Sequence, residues 1–177
     1  MMENGGQPTE PAQVIEELQR ELADYRKREL VSRTMQEKLE AELRIWSRAV
    51  EQSPSSIVIT DVTGNIEYVN PRFTQASGYS LSEAIGRTPR ILKSGGLPEV
   101  IYRQLWETIT SGVEWRGELL NKKKNGELYW EFVTISPLRD ASGQITHFLG
   151  IKEDITKRKR IDEALRISEE NQDLKGK

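Results

Sequence analysis

The chain has 177 residues and a formal net charge of −2, from 26 Lys and Arg against 28 Asp and Glu. A balance this even gives no electrostatic reason to expect nucleic-acid or membrane-surface binding, and no apolar run approaches the ~20 residues that a membrane span needs. There is no cysteine, which removes disulfides, thiolate metal sites and cysteine nucleophiles.

Hydrophobic residues make up 36% and charged residues 31%, and the charge is concentrated at the two ends, so one domain with long charged appendages is expected. The polar start Met1-Met2-Glu3-Asn4-Gly5-Gly6 lacks the basic and apolar regions of a secretion signal, which points to a cytoplasmic protein. Residues 1–11 are Gly/Pro/polar and read as disordered. Residues 12–52 hold no Gly or Pro and read as a coiled-coil helix. Ile15, Leu18, Leu22 and Tyr25 keep the three-four spacing of a coiled-coil seam; Val31, Met35, Leu39, Leu43, Trp46 and Val50 resume it in a shifted phase, as a stutter does. A parallel homodimer is the expectation, with a single amphipathic helix lying on its own domain as the alternative.

A folded domain is expected over 53–153. Ser53-Pro54-Ser55 ends the helix, because proline disfavours helical geometry in the residue before it. Ile57 to Thr60 and Ile66 to Val69 read as a hairpin around the turn Asp61 to Gly64. Asn70 can cap a short helix that begins at Pro71 and stops by Gly78, and Ser80 with Glu83 is a capping-box pair for the next. Gly86 to Gly96 carries Arg87, Arg90 and Lys93 around Ile91-Leu92. Pro98 opens a helix whose Val100, Ile101, Leu105, Trp106 and Ile109 read as one apolar face. Asn125-Gly126 then predicts a hairpin with a type I′ turn between Trp115 and Pro137. Its second arm alternates Tyr129, Glu131, Val133 and Ile135 with Leu128, Trp130, Phe132 and Thr134, so one face should cover a core and the other should meet a partner element or second chain. Ile145 to Lys152 is the last strand, and 154–177 reads as an exit helix whose Lys157-Arg158-Lys159-Arg160 run forms a solvated face.

Two short strands, several small helices and three longer antiparallel strands, flanked by helices, resemble a PAS domain. The residues that carry the resemblance are Asp61-x-x-Gly64-x-Ile66-x-Tyr68-x-Asn70-Pro71-x-Phe73, Gly78-Tyr79-Ser80 and Gly150-x-x-x-Asp154-Ile155-Thr156. The implied fold is α+β: a five-stranded antiparallel sheet with small helices on one face and coiled-coil-type helices at both ends. Two subfamilies lie nearest. Gly86 to Lys93 is similar to the flavin-contacting loop of light-sensing LOV domains, although Pro89 stands at the position of the photoactive cysteine, Glu131 and Lys152 where amides are general, and Trp106 where a second phosphate-binding arginine is general. The loop ending Ile91-Leu92, Val100 to Trp106, Trp115 and Asn121 to Lys124 resemble NifL-like redox sensors that bind FAD, with Pro89 in place of an acidic residue.

This resemblance implies a sensory module in signal transduction that binds FAD, with FMN or no cofactor as alternatives, and reports redox state or light through its flanking helices. The implied cofactor-binding residues are Val58, Thr60, Thr88, Arg90, Ile91, Lys93, Trp106, Asn121, Glu131, Val133 and Lys152. Asn121 offers both donor and acceptor to an alternating polar edge. Glu131 and Lys152, if both point inward, either pair or meet the ring, and an inward lysine favours an anionic reduced form. Haem is disfavoured because the single histidine, His147, falls in the last strand, and one histidine among scattered carboxylates lacks metal-ligand spacing. Neither a nucleophile-base-acid order nor a phosphate loop is present, and no kinase or cyclase signature follows Thr156, so no enzymatic activity is expected and an output domain is expected to be absent or to sit on another polypeptide. The other readings are a cofactor-free PAS dimerisation or docking module for a signalling effector protein, and the sensor segment of a histidine kinase or diguanylate cyclase.

Overall fold

A computed structural model describes residues 11–175, with side chains described through residue 170. Residues 1–10, which hold nearly all of the segment expected to be disordered, lie outside the described residues. The chain divides into two units, Met1–Arg48 and Ala49–Lys177. The first consists of most of helix α1 (Pro11–Glu51), in which no described residue is buried. Its seam residues Ile15, Leu18, Leu22, Val31, Met35, Leu39 and Leu43 are all exposed.

The second unit is built on five antiparallel strands: β1 (Ser56–Asp61), β2 (Ile66–Val69), β3 (Trp115–Lys122), β4 (Leu128–Arg139) and β5 (Ile145–Asp154). Their order across the sheet is β2-β1-β5-β4-β3. The central pairing, β1 with β5, joins the first and last strands in sequence, with Val58 opposite Gly150. Between β2 and β3 run α2 (Pro71–Ser77), α3 (Leu81–Ala84), a 3-10 turn (Pro89–Leu92) and α4 (Glu99–Thr110). Helix α5 (Thr156–Lys175) leaves the end of β5.

Local chemistry places these elements. Asn70 is fully buried and bonded on every side. Its Oδ1 accepts from the N–H groups of Ile57 and Phe73, capping α2, while its Nδ2 donates to the carbonyls of Val50 and Ser55. One side chain therefore joins the end of α1, the start of β1 and the start of α2. Asn70→Ala is expected to lower stability by about 3 kcal/mol, because several buried backbone groups lose their partner at once; urea titration measures it, and a loss below about 1 kcal/mol would show that water replaces the amide. Ser80 and Glu83 form the expected capping box at α3. The turns Asp61 to Asn65 and Asp140 to Gln144 share one device, an Asp carboxylate accepting from the two following polar residues. Those bonds, led by the Thr63 hydroxyl, hold the Asp61 carboxyl down to about 2.

The hairpin turn differs from the type I′ expectation. Among the described residues none other than glycine has positive φ, so Asn125 does not; in this turn Gly126 alone takes φ 90°. Its N–H donates to the Lys123 carbonyl, and Lys123 N–H to Glu127. The turn is thus a type I turn closed by one left-handed glycine, which needs a single positive φ instead of two. The last strand also runs two residues past Lys152, to Asp154.

Tyr129, Glu131 and Val133 face the helices and are buried. On the outer face Leu128 and Phe132 are exposed, while Trp130 is half-buried where α5 begins. The exit is fastened there. Ile155 N–H donates to the Trp130 carbonyl at 2.9 Å, and Trp130 N–H donates to Thr156 Oγ1 at 2.9 Å. Lys159 Nζ lies 5.0 Å from the Trp130 ring centroid, and both Arg158 and Lys159 pair with Glu118. The basic run is therefore not a plain solvated face: two of its four cations clamp α5 to the β3–β4 hairpin.

Candidate functional site

Between the inner face of the sheet and α4 lies a cavity of about 450 Å³. This is within the ~300–1,000 Å³ typical of small-molecule sites. Strand alternation supplies its floor: Val58 and Thr60 from β1, Leu119 and Asn121 from β3, Val133 and Ile135 from β4, and Phe148, Gly150 and Lys152 from β5. Tyr102, Leu105, Trp106 and Ile109 project from one face of α4, at the spacing that keeps them on one helical stripe. Thr88, Pro89, Arg90 and Lys93 come from the 3-10 turn and its flanks, and Thr63 and Gly64 from the first hairpin turn.

The lining is largely apolar, with Thr60, Thr63 and Thr88 among it, and a buried charged cluster stands at one end. There Asn121, Glu131 and Lys152 are 3%, 2% and 6% exposed. Register sets Asn121 opposite Tyr129 and Lys152 opposite Val133, so each lies one diagonal step from Glu131. Asn121 Nδ2 donates to Glu131 Oε2 at 2.6 Å, and Lys152 Nζ reaches the same oxygen at 3.5 Å. A carboxylate buried this deeply is tolerable only because it is both paired and hydrogen-bonded. Tyr129 stands beside it with its hydroxyl buried against the same carboxylate. Burial first, and then the neighbouring Glu131 charge, push that phenol far above its ordinary range.

The opening carries cations. Arg90 is exposed, and, after the Lys93 ammonium, its charge helps to hold the Glu99 carboxyl below its usual range. Lys93 pairs with Glu99 and sits over the Tyr102 ring, 4.6 Å from its centroid. The segment after it is pinned to the edge strand: Lys93 bridges Asn121, and Ser94 Oγ donates to the Leu120 carbonyl at 2.5 Å. Trp106 is 41% exposed and meets Phe148 edge to face, with centroids 5.8 Å apart. Gly64 fits beneath it. A Cβ there would come within 3.4 Å of the indole, and φ of +89° makes any side chain strained at that position.

Nine of the eleven residues named from the sequence line the cavity: Val58, Thr60, Thr88, Arg90, Lys93, Trp106, Asn121, Val133 and Lys152. Two do not. Ile91 turns the other way and packs with Tyr79 against the cluster of Val58, Ile66, Val69, Phe73, Ala84 and Leu92, because the tight 3-10 turn sends neighbouring side chains in different directions. Glu131 stands behind Asn121 and Lys152 and reaches the cavity only through them. The α4 face was also misread. Val100 is 41% exposed, Ile101 is half-buried, and Tyr102, which the sequence reading left out of the apolar face, lines the cavity. The signal was available in the i, i+3, i+4, i+7 spacing of Tyr102, Leu105, Trp106 and Ile109. Among the described residues no group of three or more His, Asp or Glu could hold a metal ion, and no helix is long and apolar enough to cross a membrane.

Comparisons with known proteins agree with this architecture. A family model described as "PAS domain" matches residues 54–157. A nitrogen fixation regulatory protein of Klebsiella oxytoca is 36% identical over 117 residues, which cover 66% of this chain and 24% of that protein. The structure of an RNA-binding light-oxygen-voltage receptor is similar with a TM-score of 0.65 at 27% identity, covering 71% of this chain and 36% of that one. The LOV domain of a blue-light activated histidine kinase from Erythrobacter litoralis EL346 is similar with a TM-score of 0.56 at 29% identity, covering 59% and 99%. The chain thus spans less than two thirds of the curated relative's length.

Proposed function

Because the chain belongs to the PAS domain family of sensory signalling modules, we propose that its cavity binds a flavin, FAD in preference to FMN, and that the state of this ligand is passed to the flanking helices. One observation carries the reading: a cavity of about 450 Å³ with a largely apolar lining ends in two buried polar side chains, Asn121 and Lys152. A planar apolar ring system with one polar edge needs that combination. Leu105, Trp106, Leu119 and Phe148 would hold the ring, and Asn121 and Lys152 its polar edge. The exposed Arg90 on the cavity lining suits a phosphate on the ligand's chain. A bound flavin supplies reversible redox chemistry and visible-light absorption.

The chain's own part is electrostatic and mechanical. Lys152 brings a buried ammonium whose protein partner is 3.5 Å away, so it favours a ligand state with negative charge beside it. Drawing Lys152 toward the ligand loosens its hold on Glu131. The residue between Tyr129 and Glu131 on β4 is Trp130, whose backbone carries both bonds that fix the start of α5. A shift at Glu131 therefore has a short covalent route to the exit helix, and two positions of α5 are the proposed output states. A second copy of the chain is the proposed occupant of the exposed seam on α1, since heptad spacing fits a like helix.

The reading as a cofactor-free dimerisation module is favoured by one observation, that Glu131 gives Asn121 and Lys152 a partner within the protein. Incubation of the purified protein with FAD, removal of free ligand by gel filtration and a visible spectrum separate the two. Flavin absorbance that elutes with the protein supports the sensor, and chromatography of the released cofactor distinguishes FAD from FMN. A colourless protein sinks the flavin reading.

A further inference from the structure

The polar end of the cavity has a direction. Asn121 Nδ2 donates to Glu131 Oε2 at 2.6 Å, and Lys152 Nζ lies 3.5 Å from the same oxygen. A carboxylate beside an ammonium only accepts, so the NH2 side of the Asn121 amide must face it; turned over, the amide would set oxygen against oxygen at the shorter of these distances. Asn121 Oδ1 therefore points away from Glu131. It has no hydrogen-bond partner among the described residues, and it is not one of the side-chain oxygens that are closed off without a partner. Because Asn121 lines the cavity while Glu131 stands behind it, the free acceptor is on the cavity side.

Backbone contacts on both sides keep the residue in place. Lys93 bridges Asn121 from the segment after the 3-10 turn, and β4 pairs Tyr129 with it on the other side. With Oδ1 fixed as an acceptor and the Lys152 ammonium able only to donate, the polar end presents one of each. Sharing one oxygen of Glu131 brings the amide and the ammonium within reach of a single ring edge. A carboxylate ligand would satisfy Lys152 but set its oxygens against Asn121. A cyclic imide satisfies both, since its N–H stands next to a carbonyl.

We propose that Glu131 is a positioning residue that selects the ligand: it holds the Asn121 amide with Oδ1 toward the cavity, so that the site takes a ring edge offering an N–H donor next to a carbonyl acceptor. The choice of ligand rests on the flavin reading above, in which that edge is the N3–H and its flanking carbonyls. The fixed amide is a property of the protein alone.

Magnetic resonance and calorimetry on the full chain test both parts. In the ligand-free parent the Asn121 side-chain amide, assigned by its loss in Asn121→Ser, should exchange its protons with water about 10- to 100-fold more slowly than a free amide. That protection should fall in Glu131→Gln, whose own amide can meet Asn121 either way round. In calorimetric titration, FAD methylated at N3 should bind at least about 10-fold more weakly than FAD, since it leaves Oδ1 without a donor. With FAD carrying a nitrogen-15 label at N3, that resonance should move downfield on binding to the parent and return toward its free position in Glu131→Gln. Unprotected Asn121 protons in the parent overturn the proposal, as does equal affinity for the methylated ligand. So does an N3 resonance that binding leaves unmoved, or that Glu131→Gln leaves where the parent had it. Should Glu131→Gln fail to fold, the three measurements on the parent decide. If the parent takes up no FAD, the flavin reading fails by itself, and proton exchange still decides the amide: protection supports a held acceptor, and fast exchange ends the proposal.

Discussion

Lys152→Met is expected to destabilise the domain by about 3–5 kcal/mol, the cost of leaving a buried carboxylate without its counter-ion. The substitution keeps the length and apolar stem of the side chain, so little packing is lost. What remains is Glu131, 2% exposed, with the Asn121 amide at 2.6 Å as its described side-chain partner. Removing the charge from the other side should reverse the damage. Glu131→Gln in the Lys152→Met background keeps a partner for Asn121 and deletes the buried charge, so the double variant should return to within about 1 kcal/mol of the parent. Urea titration of the four proteins in a double-mutant cycle gives the coupling directly. A Lys152→Met protein as stable as the parent would show that Glu131 is not held as a buried anion, and the electrostatic part of the proposed sensing would go with it.

This pair also shows where sequence reasoning reached its limit. Hairpin positions were legible because Asp61 to Gly64 and Asp140 to Gly143 carry their own turn chemistry within five residues. Helix starts at Asn70 and Ser80 were legible for the same reason. The β4 phase was not legible in the local pattern, and only the family resemblance put Glu131 and Val133 at the site. Phe132 points outward at 36% exposure while Glu131 points inward, against any simple hydrophobic rule. The choice is settled by Lys152, 21 residues further on, which no local pattern reveals. Ile91 and Arg90 illustrate a second limit. In a one-turn 3-10 segment adjacent side chains diverge by about a third of a revolution, so the apolar Ile91 joins the core while the charged Arg90 reaches the cavity. Tyr102 was passed over because a tyrosine reads as less apolar than Val100 or Ile101, although its i, i+3, i+4, i+7 spacing with Leu105, Trp106 and Ile109 marks the stripe that lines the cavity.

Val133→Phe should abolish flavin uptake while leaving the fold intact. Val133 is 0% exposed, lies opposite Gly117 on one side and Lys152 on the other, and forms part of the cavity floor. A larger ring in a filled core would cost about 1–3 kcal/mol in strain. Here it has about 450 Å³ of cavity to enter, so stability should be close to the parent's or above it. The same ring then occupies space that a flavin needs, and affinity for FAD should fall at least ~100-fold, about 2.7 kcal/mol. Phe132→Ser provides the comparison. It changes the adjacent residue on the outer face, away from the cavity, and should bind FAD as the parent does. Thermal melts establish that both variants are folded, and calorimetric titration with FAD reads the affinity. Retention of parental affinity by Val133→Phe would place any flavin outside this cavity, because an inflexible ring system cannot share the volume with a second aromatic ring. Equal loss in Phe132→Ser would instead mean that binding follows the integrity of the whole sheet, and the floor of the cavity would no longer be distinguished as the site.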